Sequence, residues 1–132
     1  MDSCSQSAAH APVIFVVDDE VAVLELAAVI LGEQGYDVRA FTDPELALKQ
    51  FEKDRPALVL TDYWMPRMSG MDLIRECRRL NPNQKTVLIS GTVDEQVFSR
   101  AAFKPDRFVA KPYQVGALTD MVAELLTKCD GC

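Results

Sequence analysis

The chain has 132 residues, of which 48% are hydrophobic and 26% charged, and its formal net charge is −6. This size and composition predict one globular domain, and the acidic balance argues against nucleic acid or an anionic membrane as its main partner. No apolar run is long enough for membrane insertion, and no signal-peptide pattern opens the chain. The 4 cysteines do not resemble a secreted disulfide framework, so we expect a cytoplasmic location.

Short apolar runs alternate with segments of helical periodicity along the chain. Residues 1–11 are predicted to form a flexible tail, residues 12–128 the domain, and residues 129–132 a C-terminal tail. Strands are predicted, in order, over residues 13–17, 36–41, 57–61, 86–89 and 107–110. Helices are predicted after each strand, over about residues 21–34, 44–53, 71–80, 94–102 and 115–125.

This alternation predicts an α/β fold. Apolar strands separated by helices form a parallel sheet that is covered on both faces. Five such units fit a flavodoxin-like, doubly wound sheet of five strands in the order 2-1-3-4-5, with five helices. Strands one and three are then neighbours, and the crevice beyond their carboxyl ends is the expected binding site.

Polar residues are predicted to collect in that crevice, because each follows a strand. They are Asp18 and Asp19 after strand one, Asp62 after strand three, Ser90 after strand four and Lys111 after strand five. Two carboxylates about 4 Å apart repel by roughly 4 kcal/mol at an effective dielectric constant near 20. A divalent cation removes this repulsion, and oxygen ligands of short reach suit Mg²⁺, or Mn²⁺. A metal, a lysine, a hydroxyl and a nucleophilic carboxylate are the components of a phosphoryl-transfer site.

With these residues identified, the chain resembles the receiver domain of two-component response regulators, over about residues 12–128. The motifs that carry the resemblance are Val16-Val17-Asp18-Asp19-Glu20, Asp62 with Met65-Pro66 and Gly70, Ser90, and Lys111-Pro112. Each motif is weak alone, but five of them in order at the family's spacing are specific. The alanine that more often follows the hydroxyl residue is replaced by Gly91-Thr92.

The resemblance implies a phospho-acceptor at Asp62, which takes phosphate from the phosphohistidine of a sensor histidine kinase or a histidine phosphotransfer protein. It implies that Asp19 and Asp62 bind Mg²⁺ directly, that Asp18 acts mainly through water, and that the backbone carbonyl of Trp64 completes the metal ligands. Such a domain is not an enzyme beyond slow self-catalysed transfer and dephosphorylation. With no recognisable DNA-binding segment in the chain, we expect output through contact with another protein, or a chain that is part of a longer one.

The resemblance also implies the residues that read the phosphoryl group. Ser90 and Lys111 would bind its oxygens, and Ser90 would move together with Phe108, which occupies the family's aromatic switch position. A cis peptide bond is expected between Lys111 and Pro112.

Simpler interpretations remain open at this level. The Asp18-Asp19 pair could only cap a helix, Ser90 could be a turn residue, and Phe108 could be core packing. A pseudo-receiver that never carries phosphate, acting as an interaction module, is the main alternative function. A haloacid-dehalogenase-type phosphatase ranks last, because Trp64 stands where that chemistry needs a second acid.

Two further features lie outside the predicted crevice. The first helix carries a second apolar stripe, Val21, Leu24, Ala28 and Leu31, which we interpret as a docking face for the phosphodonor. The chain ends in Cys129-Asp130-Gly131-Cys132, and a Cys₃His zinc site with Cys4 and His10 is one interpretation that this pattern leaves open.

Overall fold

The structure is a computed structural model that describes residues 11–90, 105–111 and 114–127. Its elements in chain order are β1 (Val13–Val17), α1 (Val21–Glu33), β2 (Asp37–Phe41), α2 (Pro44–Asp54), β3 (Leu58–Asp62), α3 (Gly70–Leu80), β4 (Lys85–Ser90), β5 (Arg107–Ala110) and α4 (Val115–Thr127). The described residues therefore contain five strands and four helices. The helix predicted over residues 94–102, the bond to Pro112 and both chain ends lie outside them.

All five strands form one parallel sheet in the order β2-β1-β3-β4-β5, which confirms the predicted topology. Because β1 and β3 are adjacent, with Val17 opposite Thr61, the chain leaves both strands at the same edge of the sheet. On the other side of β3, Asp62 is opposite Ile89, and Ser90 is in turn opposite Ala110 of β5. This edge is therefore where the predicted site residues meet.

Alternate residues of the strands face two separate apolar cores. Ile14 and Val16 point to the side covered by α1 and α4, whereas Phe15 and Val17 point to the side covered by α2 and α3. Each helix buries one side against the sheet, which is the arrangement expected for strands that are buried on both faces. At the open edge of the sheet, β2 exposes Arg39 and Ala40 to solvent.

Local sequence fixes where two of the helices begin. The side chain of Asp43 accepts a hydrogen bond from the backbone N–H of Glu45 at 2.9 Å, and Pro44 is the first residue of α2. This is the cap that the sequence Asp43-Pro44-Glu45 predicts, with an N-cap acid followed by a first-turn proline. At the start of α3, Ser69 and Asp72 form a reciprocal capping box with two hydrogen bonds of 3.2 Å.

The predicted assignment of the two faces of α1 is wrong in part. Leu24 and Leu31, which were expected to form an exposed stripe, are buried in the core between the sheet and α4. Leu26, whose helical spacing from Val23 and Ile30 predicts a core position, is instead 54% exposed. The helix is apolar on most of its circumference, so periodicity alone could not indicate which side faces the sheet.

The large apolar residues that α1 does present to solvent are Val21, Leu26 and Val29, with Ala28 half-buried. Docking of a phosphodonor on this helix remains a prediction, and any such surface must be formed by these exposed residues. Among the described residues, no helix is both long enough and apolar enough to cross a membrane.

Candidate functional site

The carboxyl end of β1 supplies the first two acids of the site. Asp18 is only 3% exposed, and its Oδ1 accepts a hydrogen bond of 2.9 Å from the backbone N–H of Glu20. The backbone N–H of Asp18 in turn bonds the carbonyl of Phe41 in β2 at 3.1 Å, which fixes the turn out of the sheet. Asp19 follows as an exposed residue. One acid is thus held in the interior, and its neighbour reaches solvent.

The carboxyl end of β3 supplies Asp62, which is 6% exposed. The chain turns sharply after it, and the backbone N–H of Gly70 bonds the carbonyl of Tyr63 at 2.9 Å. A Cβ atom on Gly70 would overlap the carbonyl oxygen of Asp62 and lie 2.8 Å from Cδ1 of Leu88. Only glycine allows the start of α3 to pack this closely against the end of β3.

Lys111 brings a positive charge to these acids from the end of β5. Its backbone N–H bonds the carbonyl of Ser90 at 2.9 Å, which places the residue one step beyond the β4–β5 ladder. Its Nζ lies 3.0 Å from Oδ1 of Asp62 and 3.4 Å from Oδ2 of Asp18. A third contact, of 3.7 Å, joins Nζ to Oε1 of Glu20.

Burial sets the electrostatic state of this cluster. Desolvation raises the pKa of Asp62 above its ordinary value, although the hydrogen bond and charge of Lys111 oppose the change. Desolvation likewise raises the pKa of Asp18, to which the charge of Asp62 contributes. Burial alone would lower the pKa of Lys111, but its bonds to both acids raise that pKa overall. Because both acids keep a raised pKa, the charge of Lys111 does not fully offset the cost of their burial.

The three aspartates satisfy the geometric requirement for a shared cation. Asp18, Asp19 and Asp62 each offer a carboxylate oxygen, and these oxygens lie within 4.8 Å of one another. An all-oxygen set of short acidic side chains suits Mg²⁺. Lys111 offsets only part of the cost of burying these acids, and a divalent cation at this position would offset more of it.

The remaining predicted site residues lie around this cluster. Ser90 is fully buried at the end of β4, next to the ladder position of Ala110. Phe108 is half-buried and packs against the small apolar cluster of Ile74 and Leu88. Trp64 lies two residues beyond Asp62 with its side chain 65% exposed. A role of its carbonyl as a metal ligand, and the switch roles of Ser90 and Phe108, remain predictions.

Sequence reasoning did not identify two contacts at the site. The sequence motif that contains Glu20 indicates no role for its side chain, yet its carboxylate lies 3.7 Å from Nζ of Lys111. The ion pair of 2.9 Å between Arg67 and Asp43 links the loop after Asp62 to the start of α2. The run of three acids at residues 18–20 was a signal for the first contact, whereas no local pattern indicates the second.

A doubly wound parallel sheet with three acids and a lysine at its switch point defines a class of phosphoryl-handling α/β domains. The family model described as "Response regulator receiver domain" matches residues 14–123. The chain therefore belongs to the receiver domain family of two-component response regulators. Domains of this family are signalling modules and not enzymes in the ordinary sense.

Two curated relatives illustrate the similarity. The two-component response regulator PhoP of Pseudomonas aeruginosa is 33% identical over 120 residues, which cover 89% of this chain and 53% of that protein. The DNA-binding response regulator MtrA of Mycobacterium leprae is 29% identical over 117 residues, covering 89% of this chain and 52% of that protein. The chain thus spans about half the length of these relatives.

Solved structures show the same fold. The receiver domain protein (CheY-like) from Methanospirillum hungatei JF-1 superposes with a TM-score of 0.82 and 28% identity, covering 89% of this chain and 95% of that one. The response regulator TrrA from Thermotoga maritima, in complex with Mg²⁺-BeF, gives a TM-score of 0.78 and 30% identity, and the match covers 86% of this chain and 98% of that one.

Proposed function

We propose that this receiver domain accepts a phosphoryl group on Asp62 from a phosphohistidine donor, with Mg²⁺ as its metal, and signals through a change of its surface. The observation that carries the proposal is the position of Asp62: its Oδ1 lies 3.0 Å from Nζ of Lys111, and its carboxylate lies within 4.8 Å of two other aspartates. The complex of the TrrA protein with Mg²⁺-BeF supports the same chemistry in a similar domain.

The chemical step is a displacement at phosphorus. A carboxylate oxygen of Asp62 forms the new O–P bond while the P–N bond to the donor imidazole breaks, and the imidazole leaves with the electron pair and takes up a proton from solvent. The bound metal would neutralise charge on the phosphoryl oxygens and orient them. Asp18, Asp19 and Asp62 would hold it.

The residues of this chain contribute positioning and charge. Lys111 would exchange its bond to Asp62 for one to a phosphoryl oxygen, as a compact ammonium can do without moving its backbone. The backbone N–H of Lys111 bonds the carbonyl of Ser90, and through this bond a movement at the end of β4 would reach the end of β5. We infer that Ser90 binds another phosphoryl oxygen and that Phe108 responds to its movement.

The partners of the domain follow from the same proposal. A sensor histidine kinase or a histidine phosphotransfer protein would donate the phosphoryl group, and another protein, or a further part of a longer chain, would read the result. We propose that these 132 residues make no direct contact with nucleic acid. The proposal does not extend beyond them, because the relatives include a DNA-binding regulator of about twice this length.

The test uses the fluorescence of Trp64, the only tryptophan, which lies two residues from the acceptor. MgCl₂ is titrated first and beryllofluoride second, and we expect each to produce a saturable change. Asp62→Ala should lose the beryllofluoride response, whereas Asp120→Ala, which removes an exposed acid of α4, should retain it. A protein that shows no Asp62-dependent response to either addition would be a pseudo-receiver, and the proposal would be wrong.

A further inference from the structure

Glu20 occupies a position that its local structure does not explain. It is the N-cap residue of α1, but its side chain makes no capping hydrogen bond. The side chain is 65% exposed and instead places Oε1 3.7 Å from Nζ of Lys111. The side chain of Glu20 does not cap the helix and is directed instead at the cation that the described residues bring to the cluster. Glu20 is therefore a candidate for tuning the reactivity of Lys111.

The three acids around Lys111 differ in their freedom to move. Asp18 and Asp62 are buried at the ends of their strands, at 3.4 Å and 3.0 Å from Nζ, whereas Glu20 lies at the rim. Within the residues that the structure describes, Glu20 is the acid that can rotate away from Lys111 into water. A phosphoryl oxygen that approaches Lys111 from solvent therefore meets the carboxylate of Glu20.

We propose that Glu20 is a specificity-determining residue that disfavours small anionic phosphodonors at Asp62. This inference rests on the proposed phospho-acceptor function. A free phosphodonor carries its negative charge to Lys111 with few other contacts, so repulsion by Glu20 reduces its rate of transfer. A protein phosphodonor gains binding energy from its docked surface, which offsets the same repulsion.

If the charge of Glu20 acts in this way, removing it should speed the reaction with an anionic phosphodonor and weaken the binding of a cation. Glu20→Gln keeps the size of the side chain and removes its charge, so Lys111 loses a competing partner. We expect transfer from acetyl phosphate to rise about two- to fivefold, the range expected for one nearby charge in a largely exposed position. The affinity for Mg²⁺ should fall about twofold, because a nearby negative charge has been removed.

The experiment compares wild-type protein with Glu20→Gln and Glu25→Gln. Glu25 is an exposed acid of the same helix, so its variant has the same net charge without a change at the site. The rate of the Trp64 fluorescence change is measured against acetyl phosphate concentration, with Mg²⁺ affinity measured in parallel. The faster transfer in Glu20→Gln should come from a lower KM and not from a higher kcat. The difference from wild-type protein should become smaller as ionic strength rises, because salt screens an exposed charge.

Each outcome decides between the two proposals. If wild-type protein responds to acetyl phosphate and both variants match it, the inference about Glu20 is wrong while the phospho-acceptor function stands. Equal gains in Glu20→Gln and Glu25→Gln would also overturn it, because net charge alone would then explain the effect. If neither wild-type protein nor any variant responds to acetyl phosphate or beryllofluoride, both proposals fail together.

Discussion

The buried carboxylates of Asp18 and Asp62 each lower the stability of the folded protein when no metal is bound. Both are buried, and desolvation of the ionised carboxylate raises the pKa of each. Lys111 reduces that cost without removing it. The site thus resembles many functional sites, in which local stability is given up for a reactive arrangement of charges.

The raised pKa values predict how Mg²⁺ affinity depends on pH. Metal binding requires the ionised carboxylates, so protons and Mg²⁺ compete for them. We expect the affinity to decline as pH falls through the raised pKa values of Asp18 and Asp62, beginning above the ordinary aspartate value of 3.8. Titrating Mg²⁺ at a series of pH values, with Trp64 fluorescence as the signal, measures this directly.

The free energy of unfolding of the metal-free protein should change with pH in the direction opposite to the Mg²⁺ affinity. Between 3.8 and the raised values the folded protein binds more protons than the unfolded chain, so its stability falls as pH rises through that window. If the decline of Mg²⁺ affinity were instead centred at pH 3.8, the raised pKa values of Asp18 and Asp62 would be contradicted.

Most of these site residues could be predicted from the sequence because each follows an apolar strand. The position of Asp62 after strand three and of Lys111 after strand five is set by topology, which strand patterns reveal. The contact of Glu20 with Lys111 could not be predicted in the same way. It depends on the rotamer of an exposed side chain, which no sequence pattern specifies.

At the scale of elements, the junction between β3 and α3 controls the geometry of the acceptor. Arg67 in this loop has a φ of 70°, and the N–H of Met68 bonds the carbonyl of Pro66 at 2.8 Å in a tight turn. A positive φ is costly for a residue with a side chain. The ion pair of Arg67 with Asp43 helps to hold the turn in place.

Gly70 offers a test of this junction. In Gly70→Ala the new methyl group would overlap the Asp62 carbonyl, so the loop must move. We expect a loss of about 2 kcal/mol in the free energy of unfolding, typical of overpacking, and weaker Mg²⁺ binding. Chemical denaturation and the Mg²⁺ titration measure the two effects.

Gly32→Ala is the matched control for that substitution, because nothing lies within 4 Å of a Cβ at this position in α1. It should stabilise the protein by up to about 1 kcal/mol through helix propensity and leave Mg²⁺ binding unchanged. If Gly70→Ala behaved like Gly32→Ala, the close approach at the β3–α3 junction would have no role in shaping the site.

The misassigned faces of α1 show where sequence reasoning fails at this scale. The helix packs against both the sheet and α4, so it needs a wide apolar side, and Leu24 and Leu31 belong to it. Both glutamates of the helix, Glu25 and Glu33, are exposed. They mark the solvent side, and Val29, midway between them at helical spacing, shares it. The charged residues were thus a better guide to orientation than the apolar ones.

At the scale of the whole molecule, the site exists only in the folded chain. Asp18 and Asp62 are 44 residues apart in sequence and are joined across the β1–β3 pair. The strand order could be predicted because alternating strands and helices permit few arrangements. The segment over residues 94–102 carries a weaker helical pattern and lies outside the described residues.

A ligand that binds only the folded state stabilises that state, so Mg²⁺ should raise the free energy of unfolding. At a hundredfold excess over its dissociation constant the gain is about 2.7 kcal/mol. Asp62→Asn removes a ligand of the predicted metal and also a buried charge whose raised pKa marks it as unfavourable. Without Mg²⁺ we therefore expect this variant to be at least as stable as wild-type protein.

With saturating Mg²⁺ the order should reverse, because wild-type protein gains the full binding energy and Asp62→Asn gains little. Urea denaturation of both proteins, with and without Mg²⁺, tests the crossover, and m-values that stay constant would show that the same surface is exposed on unfolding. Equal stabilisation of the two proteins would mean that the ion binds elsewhere on the acidic surface. A crossover would instead link the burial of Asp62 to its function, since the carboxylate that weakens the metal-free fold would be the group through which Mg²⁺ stabilises it.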